Sequence, residues 1–385
     1  MAHVKTGIEI LLDQRSSPVF KWRIGLITNR SAVTTDLTPS FDALLKAGVK
    51  VTALFAPEHG FTGQAADGER IESFIDEKTG IPVYSLYGTT KKPATEMLAG
   101  VDMLLFDIQD VGARFYTFLY TMAYAMEASA EAGKPFVVLD RPNPIGGISI
   151  EEPMLSPEFS SFVGFYPVPI RYGMTIGEFA RMINREFGIG AELTAVPLSG
   201  WKREMWFDET GLPWVPPSPA IPTLETAAVY PGACLLEGTN VSEGRSTEMP
   251  FQTTGAPWID SAKLADELNL AKLPGIRFDP VNFTPSSSKY AGFECSGVSW
   301  KVTDRDKFLP VMTGVKVIEI IHRLWPEEFE FRKPGPDGRY FFDLLAGTDR
   351  LRQDLESGRS AEEIAAGWKD GILEFCKVRR SYLLY

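Results

Sequence analysis

Residues 49–63, VKVTALFAPEHGFTG, pass from an apolar, β-branched run directly into a polar turn. The run VKVTALF predicts a strand covered on both faces, because short continuous apolar stretches of this length are typical of buried strands. The turn carries Glu58 and His59 between Pro57 and Gly60. The sequence therefore indicates a buried strand that ends in a carboxyl group and an imidazole.

Four other short apolar runs have the same character: WRIGLIT at 22–28, IPVYSLY at 81–87, VDMLLFD at 101–107 and KPFVVLD at 134–140. Residues 37–48 and 114–133 lie between these runs, have apolar side chains at helical spacing and end in glycine, which predicts helices. Alternating strands and helices are typical of a parallel sheet with helices on both faces. We therefore predict an α/β protein whose first domain is a Rossmann-like, doubly wound parallel sheet.

The rest of the chain has a different pattern and predicts a second unit. Residues 200–223 are dense in tryptophan and proline, a composition that can hold a long loop rigid. Helical patterns at 260–269 and 315–325 flank an alternating strand pattern at 293–304. We expect the Rossmann-like domain at 1–150, a connecting region whose Trp/Pro-rich loop lines a cleft at 151–256, and a smaller α+β domain at 257–385, with the cleft between the two domains.

Polar side chains stand where the predicted strands of the first domain end. Because the carboxyl ends of parallel strands share one edge of a sheet, where ligands of such folds bind, we expect these side chains to lie close together. Each one alone could instead cap a helix or tighten a turn. The set comprises Asn29 after the first strand, Glu58 and His59 after the second, Asp107, Gln109, Asp110 and Arg114 after VDMLLFD, and Asp140, Arg141 and Asn143 after KPFVVLD.

Composition excludes several classes of protein. The chain has 385 residues, 44% of them hydrophobic, and a formal net charge of −11, which disfavours nucleic acid and anionic membranes as partners. No apolar run approaches the roughly 20 residues of a membrane span, and the first residues lack the features of an export signal. We expect a cytoplasmic protein, or an exported one if a leader has been removed. Dinucleotide, P-loop, zincin and serine-hydrolase motifs are absent, so we expect no cofactor and no metal.

Carboxyl groups combined with aromatic loops, without a histidine cluster, favour hydrolysis of a glycosidic bond. That reaction needs one protonated carboxyl to donate to the leaving oxygen and one ionised carboxylate. Glu58 fits the proton donor, since the apolar neighbours Phe55 and Phe61 would partly desolvate it and favour its protonated form. The second carboxylate stays open among Asp107, Asp110, Glu237 and Glu243. Two alternatives are a hydrolase that uses Mg²⁺ or Mn²⁺ and a non-catalytic sugar-binding protein.

A series of motifs spans almost the whole chain. In order they are LITNRSAV (26–33), LFAPEHGFTG (54–63), VDMLLFDIQDVGARFYTF (101–118), VVLDRPNPIGG (137–147), GLPWVPPSPAIPT (211–223) and YPGACLLEGTNVSEGR (230–245). Together they resemble the NamZ-type exo-β-N-acetylmuramidases. The resemblance implies a Rossmann-like domain with a smaller second domain, no nucleotide, and removal of terminal N-acetylmuramic acid from the non-reducing end of peptidoglycan fragments.

The resemblance also implies roles for single residues. Glu58 corresponds to the catalytic glutamate of the family's PEHG motif, with His59, Asp110 and Asp107 as further catalytic candidates. N-acetylmuramic acid carries a lactyl carboxylate, and Arg114, Arg141, Arg171 and Arg245 are the candidates to bind it. Tyr172 departs from the family, which commonly has histidine there. The other candidate substrate-binding residues are Asn29, Gln109, Tyr116, Asp140, Asn143, Tyr172, Glu237, Asn240, Glu243. The expected partners are muramic-acid-containing disaccharides or peptidoglycan fragments, bound by a monomer or homodimer.

Overall fold

The computed structural model of the protein describes residues 3–63, Glu69 and residues 71–385. Its strands are β1 (Arg23–Thr28), β2 (Lys50–Ala56), β3 (Phe74–Ile75), β4 (Pro82–Ser85), β5 (Met103–Asp107), β6 (Phe136–Leu139), β7 (Glu151–Met154), β8 (Pro169–Arg171), β9 (Leu193–Val196), β10 (Thr253–Ala256), β11 (Ile276–Phe283) and β12 (Cys295–Val302). Its α-helices are α1 (Gly7–Asp13), α2 (Ser40–Lys46), α3 (Phe118–Glu131), α4 (Ile176–Glu186), α5 (Leu224–Ala233), α6 (Ser261–Leu270), α7 (Pro310–Leu324), α8 (Phe341–Ala346), α9 (Arg350–Glu356), α10 (Ala361–Ala366) and α11 (Lys369–Arg380).

The first domain is built on a sheet with the strand order β3-β4-β2-β1-β5-β6-β9. Its strands pair in parallel except at the β3–β4 edge, which is antiparallel. Helices α1 and α2 pack on one face through residues such as Leu11 and Leu44, and α3 and α4 pack on the other. The predicted doubly wound α/β class is therefore confirmed. The sheet also takes in β9, which lies beyond residue 150.

A three-stranded antiparallel sheet, ordered β10-β12-β11, forms the smaller α+β domain together with α6 and α7. Helix α5 approaches α7 so closely that a Cβ on Gly232 would lie 1.8 Å from the carbonyl oxygen of Pro310. Only glycine allows this contact. None of the helices in the described ranges is both long and apolar enough to cross a lipid bilayer.

A tight turn follows β2 and fixes the position of Glu58. His59 and Gly60 both have left-handed backbone, with φ of 69° and 74°. The Gly60 amide donates a hydrogen bond of 3.0 Å to the Pro57 carbonyl. Left-handed backbone is unfavourable for histidine, so the surrounding structure must maintain it. The turn ends the buried strand abruptly and leaves Glu58 half-buried at the sheet edge.

Arg114 joins the two domains through a buried guanidinium. Its Nη1 donates to the carbonyls of Pro153 and Val168 at 2.7 and 2.8 Å. Its Nη2 donates to Leu345 and Ala346, the last two residues of α8, at 2.8 and 2.6 Å. Burial lowers the pKa of Arg114 to about 10, which leaves it charged at neutral pH. One side chain of the first domain therefore binds the connecting region and the second domain together.

Replacing Arg114 with methionine is expected to lower the free energy of unfolding by about 2–4 kcal/mol, because four buried carbonyls lose a charged donor. Urea titration followed by circular dichroism measures the change. The matched control is Arg277→Met, since Arg277 is 64% exposed and pairs with Asp279 at the surface. A loss at Arg114 no larger than the control's would show that these bonds contribute little.

Candidate active site

Two adjoining cavities lie between the domains. The inner cavity, about 240 Å³, is lined by Glu58, His59, Tyr87, Phe115, Tyr116, Thr117, Phe162, Val163, Ser218, Ala220, Ile221, Tyr230, Cys234, Glu237, Arg245, Phe251, Phe341 and Leu345. The outer cavity, about 1000 Å³, is lined by Pro219, Ala220, Glu237, Thr239, Asn240, Glu243, Arg245, Ser246, Thr247, Pro250, Ser287, Ser288, Lys289, Tyr290 and Arg332. The two share Ala220, Glu237 and Arg245, which form the passage between them.

Glu58 reaches the inner cavity from the sheet edge of the first domain. Its Oε2 accepts a hydrogen bond of 2.7 Å from the Thr117 hydroxyl, at the start of α3. The apolar residues predicted to surround it face elsewhere: Phe55 packs against Tyr84 and Phe61 against Phe41. The aromatic walls come instead from residues distant in sequence, chiefly Tyr116, Phe162 and Tyr230. Glu58 is therefore oriented by a neutral hydroxyl in a largely aromatic cavity.

Glu237 enters the same cavity from the second domain. Arg245 donates to its Oε1 at 2.8 Å and also lies 3.6 Å from Glu243. Burial raises the pKa of Glu237, and Glu243 adds to that effect, whereas Arg245 opposes it. Only 17% of the Glu237 side chain is exposed. The inner cavity thus holds two carboxyl groups on opposite domains, and Glu237 is paired with Arg245.

The outer cavity is wider and richer in cations and hydroxyl groups. Lys289 uses its three donors within the protein, on the carbonyls of Leu236 and Val241 and on Glu243. Arg332 is exposed and makes a long contact of 3.5 Å to the Glu237 carbonyl. Asn240 lines this cavity, but its side chain hydrogen-bonds the backbone of Glu328 and Glu330. The outer cavity can therefore accept a polar ligand larger than the inner cavity can hold.

The predicted site residues divide into two groups. The structure brings Glu58, His59, Tyr116, Glu237 and Arg245 together in the inner cavity, and Asn240 and Glu243 line the outer one. It does not bring the others to either cavity: Asn29, Asp107, Gln109, Asp110, Arg114, Asp140, Arg141, Asn143, Arg171 and Tyr172. All ten are buried, and their polar groups serve the fold.

Hydrogen bonds within the protein account for the positions of these ten residues. Asn29 and Asn143 tighten the turns after β1 and β6 and donate to Pro217 and Met174 carbonyls. Asp140 accepts from Thr175, the Gly177 amide and Tyr385. Gln109 donates to the Asp110 and Pro142 carbonyls.

Two of the buried arginines are held by carboxylates. Ion pairs join Arg141 to Asp107 and Arg171 to Glu151. These arginines are therefore already neutralised by protein carboxylates.

Asp110 is a buried carboxyl that accepts hydrogen bonds from the Tyr172 hydroxyl and the Gly112 amide. Burial raises its pKa to about 6, and both hydrogen bonds oppose that rise. Because its folded pKa exceeds its unfolded value, the stability it contributes is full below about pH 4 and is lost as the pH rises through 6.

We expect the free energy of unfolding of Asp110→Asn, minus that of the wild type, to rise by about 2–3 kcal/mol from pH 4 to pH 7. The reason is that asparagine does not titrate. Urea titrations of both proteins at several pH values give this difference. The contributions of the other carboxyl groups are the same in both proteins and cancel. A difference that is flat with pH would contradict the proposed burial of charge at Asp110.

Several residues at the cavities have no signal in the sequence. Thr117 and Tyr230 lie within the motifs at 101–118 and 230–245, but the sequence assigned them and Phe162 no role in the site. Lys289 and Arg332 lie in segments without motifs. Lys91 is also missed, although its ammonium lies 3.9 Å from the ring centroid of Phe162. The tryptophans Trp201 and Trp206 are buried, and residues 218–221 of that loop line the cleft instead. In the described ranges, no group of three His, Cys, Asp or Glu side chains could hold a metal ion.

Comparison with known proteins places the chain in context. Residues 24–225 match the family model for the N-terminal domain of exo-beta-N-acetylmuramidase NamZ, and residues 228–385 match the model for its C-terminal domain. The chain is 54% identical to peptidoglycan beta-N-acetylmuramidase NamZ of Bacillus subtilis (strain 168) over 383 residues, 99% of this chain and 91% of that protein.

Two solved structures of DUF1343 family proteins from Bacteroides fragilis NCTC 9343 are also similar. The first is 37% identical, with a TM-score of 0.93 and full coverage of both chains. The second is 34% identical, with a TM-score of 0.78 and 99% coverage of each chain. The two-domain arrangement is therefore shared with experimentally determined structures.

Proposed function

The chain belongs to the exo-β-N-acetylmuramidase NamZ family, and on that premise we propose that it releases terminal β-linked N-acetylmuramic acid from the non-reducing end of peptidoglycan fragments. It is a glycoside hydrolase. The observation that carries this proposal is the pair of glutamates, Glu58 and Glu237, which face the inner cavity from opposite domains.

The sizes of the two cavities support terminal release. The inner cavity, about 240 Å³, falls below the roughly 300–1000 Å³ of sites that enclose drug-sized ligands, so it suits one sugar. The outer cavity, about 1000 Å³, has room for the rest of the glycan. A chain bound through the passage between them would place its last sugar inside and its remaining sugars outside. The bond to be cleaved then lies at the passage, beside Glu237 and Arg245.

The two glutamates have different partners, which supports different roles. The Thr117 hydroxyl orients the Glu58 carboxyl in the inner cavity, where this carboxyl can protonate the leaving oxygen. Glu237 is paired with Arg245, which opposes the rise in the pKa of Glu237 that burial causes. An ionised carboxylate is the group that acts on the anomeric carbon or on the attacking water. We therefore assign Glu58 as acid and Glu237 as the second carboxylate.

The direct test is incubation of the purified protein with the disaccharide of N-acetylmuramic acid β-linked to N-acetylglucosamine, followed by chromatography. We expect the two monosaccharides as products. With longer glycans we expect one muramic acid per chain at early times. Early release of oligosaccharides of mixed length would contradict terminal release, and an intact disaccharide would contradict the activity itself.

A further inference from the structure

Lys91 is a half-buried cation that packs against one residue of the inner cavity's wall. Its ammonium lies 3.9 Å from the ring centroid of Phe162, a residue that lines this cavity. Within the described part of the chain, no hydrogen bond or ion pair joins Lys91 to a protein acceptor. Burial lowers the pKa of Lys91, and the nearby Glu58 carboxylate opposes that fall. The ring contact offsets only part of the cost of removing an ammonium from water.

The other cations of the cleft are already balanced by the protein. Arg245 lies between Glu237 and Glu243, and Lys289 uses its three donors on two carbonyls and Glu243. Arg332 borders the outer cavity, not the inner one. Lys91 is therefore a cation beside the inner cavity to which, among the described residues, no protein carboxylate is hydrogen-bonded.

We infer that Lys91 binds the lactyl carboxylate of the terminal muramic acid and so selects this sugar over N-acetylglucosamine. The inference rests on the proposed function. The lactyl group is attached at C3, one ring carbon away from C2 and two from the anomeric C1. Groups that hold the lactyl carboxylate and act at C1 must therefore be neighbours across a single ring. Lys91 and Glu58 meet this requirement, since their charges interact, Glu58 borders the inner cavity, and Lys91 packs on Phe162, a residue of the same cavity's wall.

The position of Lys91 also fits the chemistry of selection. A carboxylate bound by an ammonium beside an aromatic ring gains a charge-assisted hydrogen bond in a partly dry site, typically more than a neutral hydrogen bond contributes. N-acetylglucosamine has a hydroxyl at C3 and would leave the ammonium without a hydrogen-bonded anion. The expected preference is roughly ten- to a hundred-fold in affinity.

The test combines three variants with two substrates. Lys91→Met keeps the aliphatic stem and removes the charge, and Lys91→Arg keeps the charge. Lys92→Met is the matched control, because the neighbouring Lys92 is already paired with Glu127 and Glu131 on α3. The substrates are 4-nitrophenyl β-N-acetylmuramide and its lactyl amide, which differ only in the carboxylate.

We expect wild type, Lys91→Arg and Lys92→Met to prefer the acid over the amide by roughly ten- to a hundred-fold in kcat/KM, mainly through KM. We expect Lys91→Met to hydrolyse both equally, at about the wild-type rate on the amide. A Lys91→Met protein that keeps the preference overturns the inference, as does a wild type without one.

A binding measurement separates this inference from the proposed function. Calorimetric titration with free N-acetylmuramic acid and free N-acetylglucosamine needs no turnover. Tighter binding of the muramic sugar by the wild type, lost in Lys91→Met and kept in Lys92→Met, supports the carboxylate site even if neither substrate is hydrolysed. Equal affinities for both sugars in the wild type would overturn it even if the protein is an active muramidase.

Discussion

Replacing Glu58 with glutamine is expected to lower kcat on the muramic acid disaccharide by roughly 10²–10⁴, because the leaving oxygen loses its proton donor. Glutamine can still accept the hydrogen bond from Thr117, so the fold and KM should change little. On 4-nitrophenyl β-N-acetylmuramide the loss should be much smaller, since nitrophenolate leaves without protonation. Initial rates on the two substrates measure the contrast.

The control for this variant is Glu77→Gln, a change at an exposed glutamate of the same domain. It should leave both rates near those of the wild type. Glu58→Gln with near-normal disaccharide hydrolysis would remove Glu58 from the mechanism. An equally large loss on both substrates would instead exclude the donor role and point to direct action on the anomeric carbon.

Replacing Glu237 with glutamine is expected to lower kcat by a comparable factor, roughly 10²–10⁴, but on both substrates alike. The second carboxylate acts at the anomeric carbon or on water, and a good leaving group does not replace that role. Sodium azide should restore part of the rate in Glu237→Gln, because a small anion can attack in place of the missing group.

Glu248→Gln provides the comparison for Glu237, since Glu248 lies on the same segment but is exposed. If Glu237→Gln spares the nitrophenyl substrate and Glu58→Gln does not, the two assignments must be exchanged. The anomer first released by the wild type, followed by NMR, adds the stereochemical outcome: the β anomer indicates retention and the α anomer inversion.

Much of the first domain was predictable because its signals are local. The strand patterns at 22–28 and 101–107 correspond to β1 and β5, and the capping box of α4, Thr175 with Glu178, lies within four residues. The edge of the sheet where Glu58 lies follows from the parallel arrangement alone. The family was predictable as well, since its motifs extend along nearly the whole chain.

Which polar residues face the cleft could not be predicted, because their partners are distant in sequence. Arg114 finds its acceptors up to 232 positions away, and Arg141 finds Asp107 34 positions away. Asp110 resembled a catalytic carboxyl until its contact with Tyr172, 62 positions further on, was known. Lys91 and Lys92 are adjacent, yet only Lys92 forms ion pairs with the α3 residues Glu127 and Glu131. Composition and spacing carry no information about such contacts.

The buried hydrogen bonds of Arg114 have a consequence for how the enzyme works. Helix α8, which they hold, contributes Phe341 and Leu345 to the inner cavity, and the segment after Arg114 contributes Tyr116 and Thr117. These two parts of the inner cavity's wall thus belong to one hydrogen-bonded body, and they cannot separate without breaking the two buried bonds from Arg114 to α8. We therefore expect the inner cavity to keep its width when a sugar binds, so that small-angle scattering curves with and without sugar superimpose.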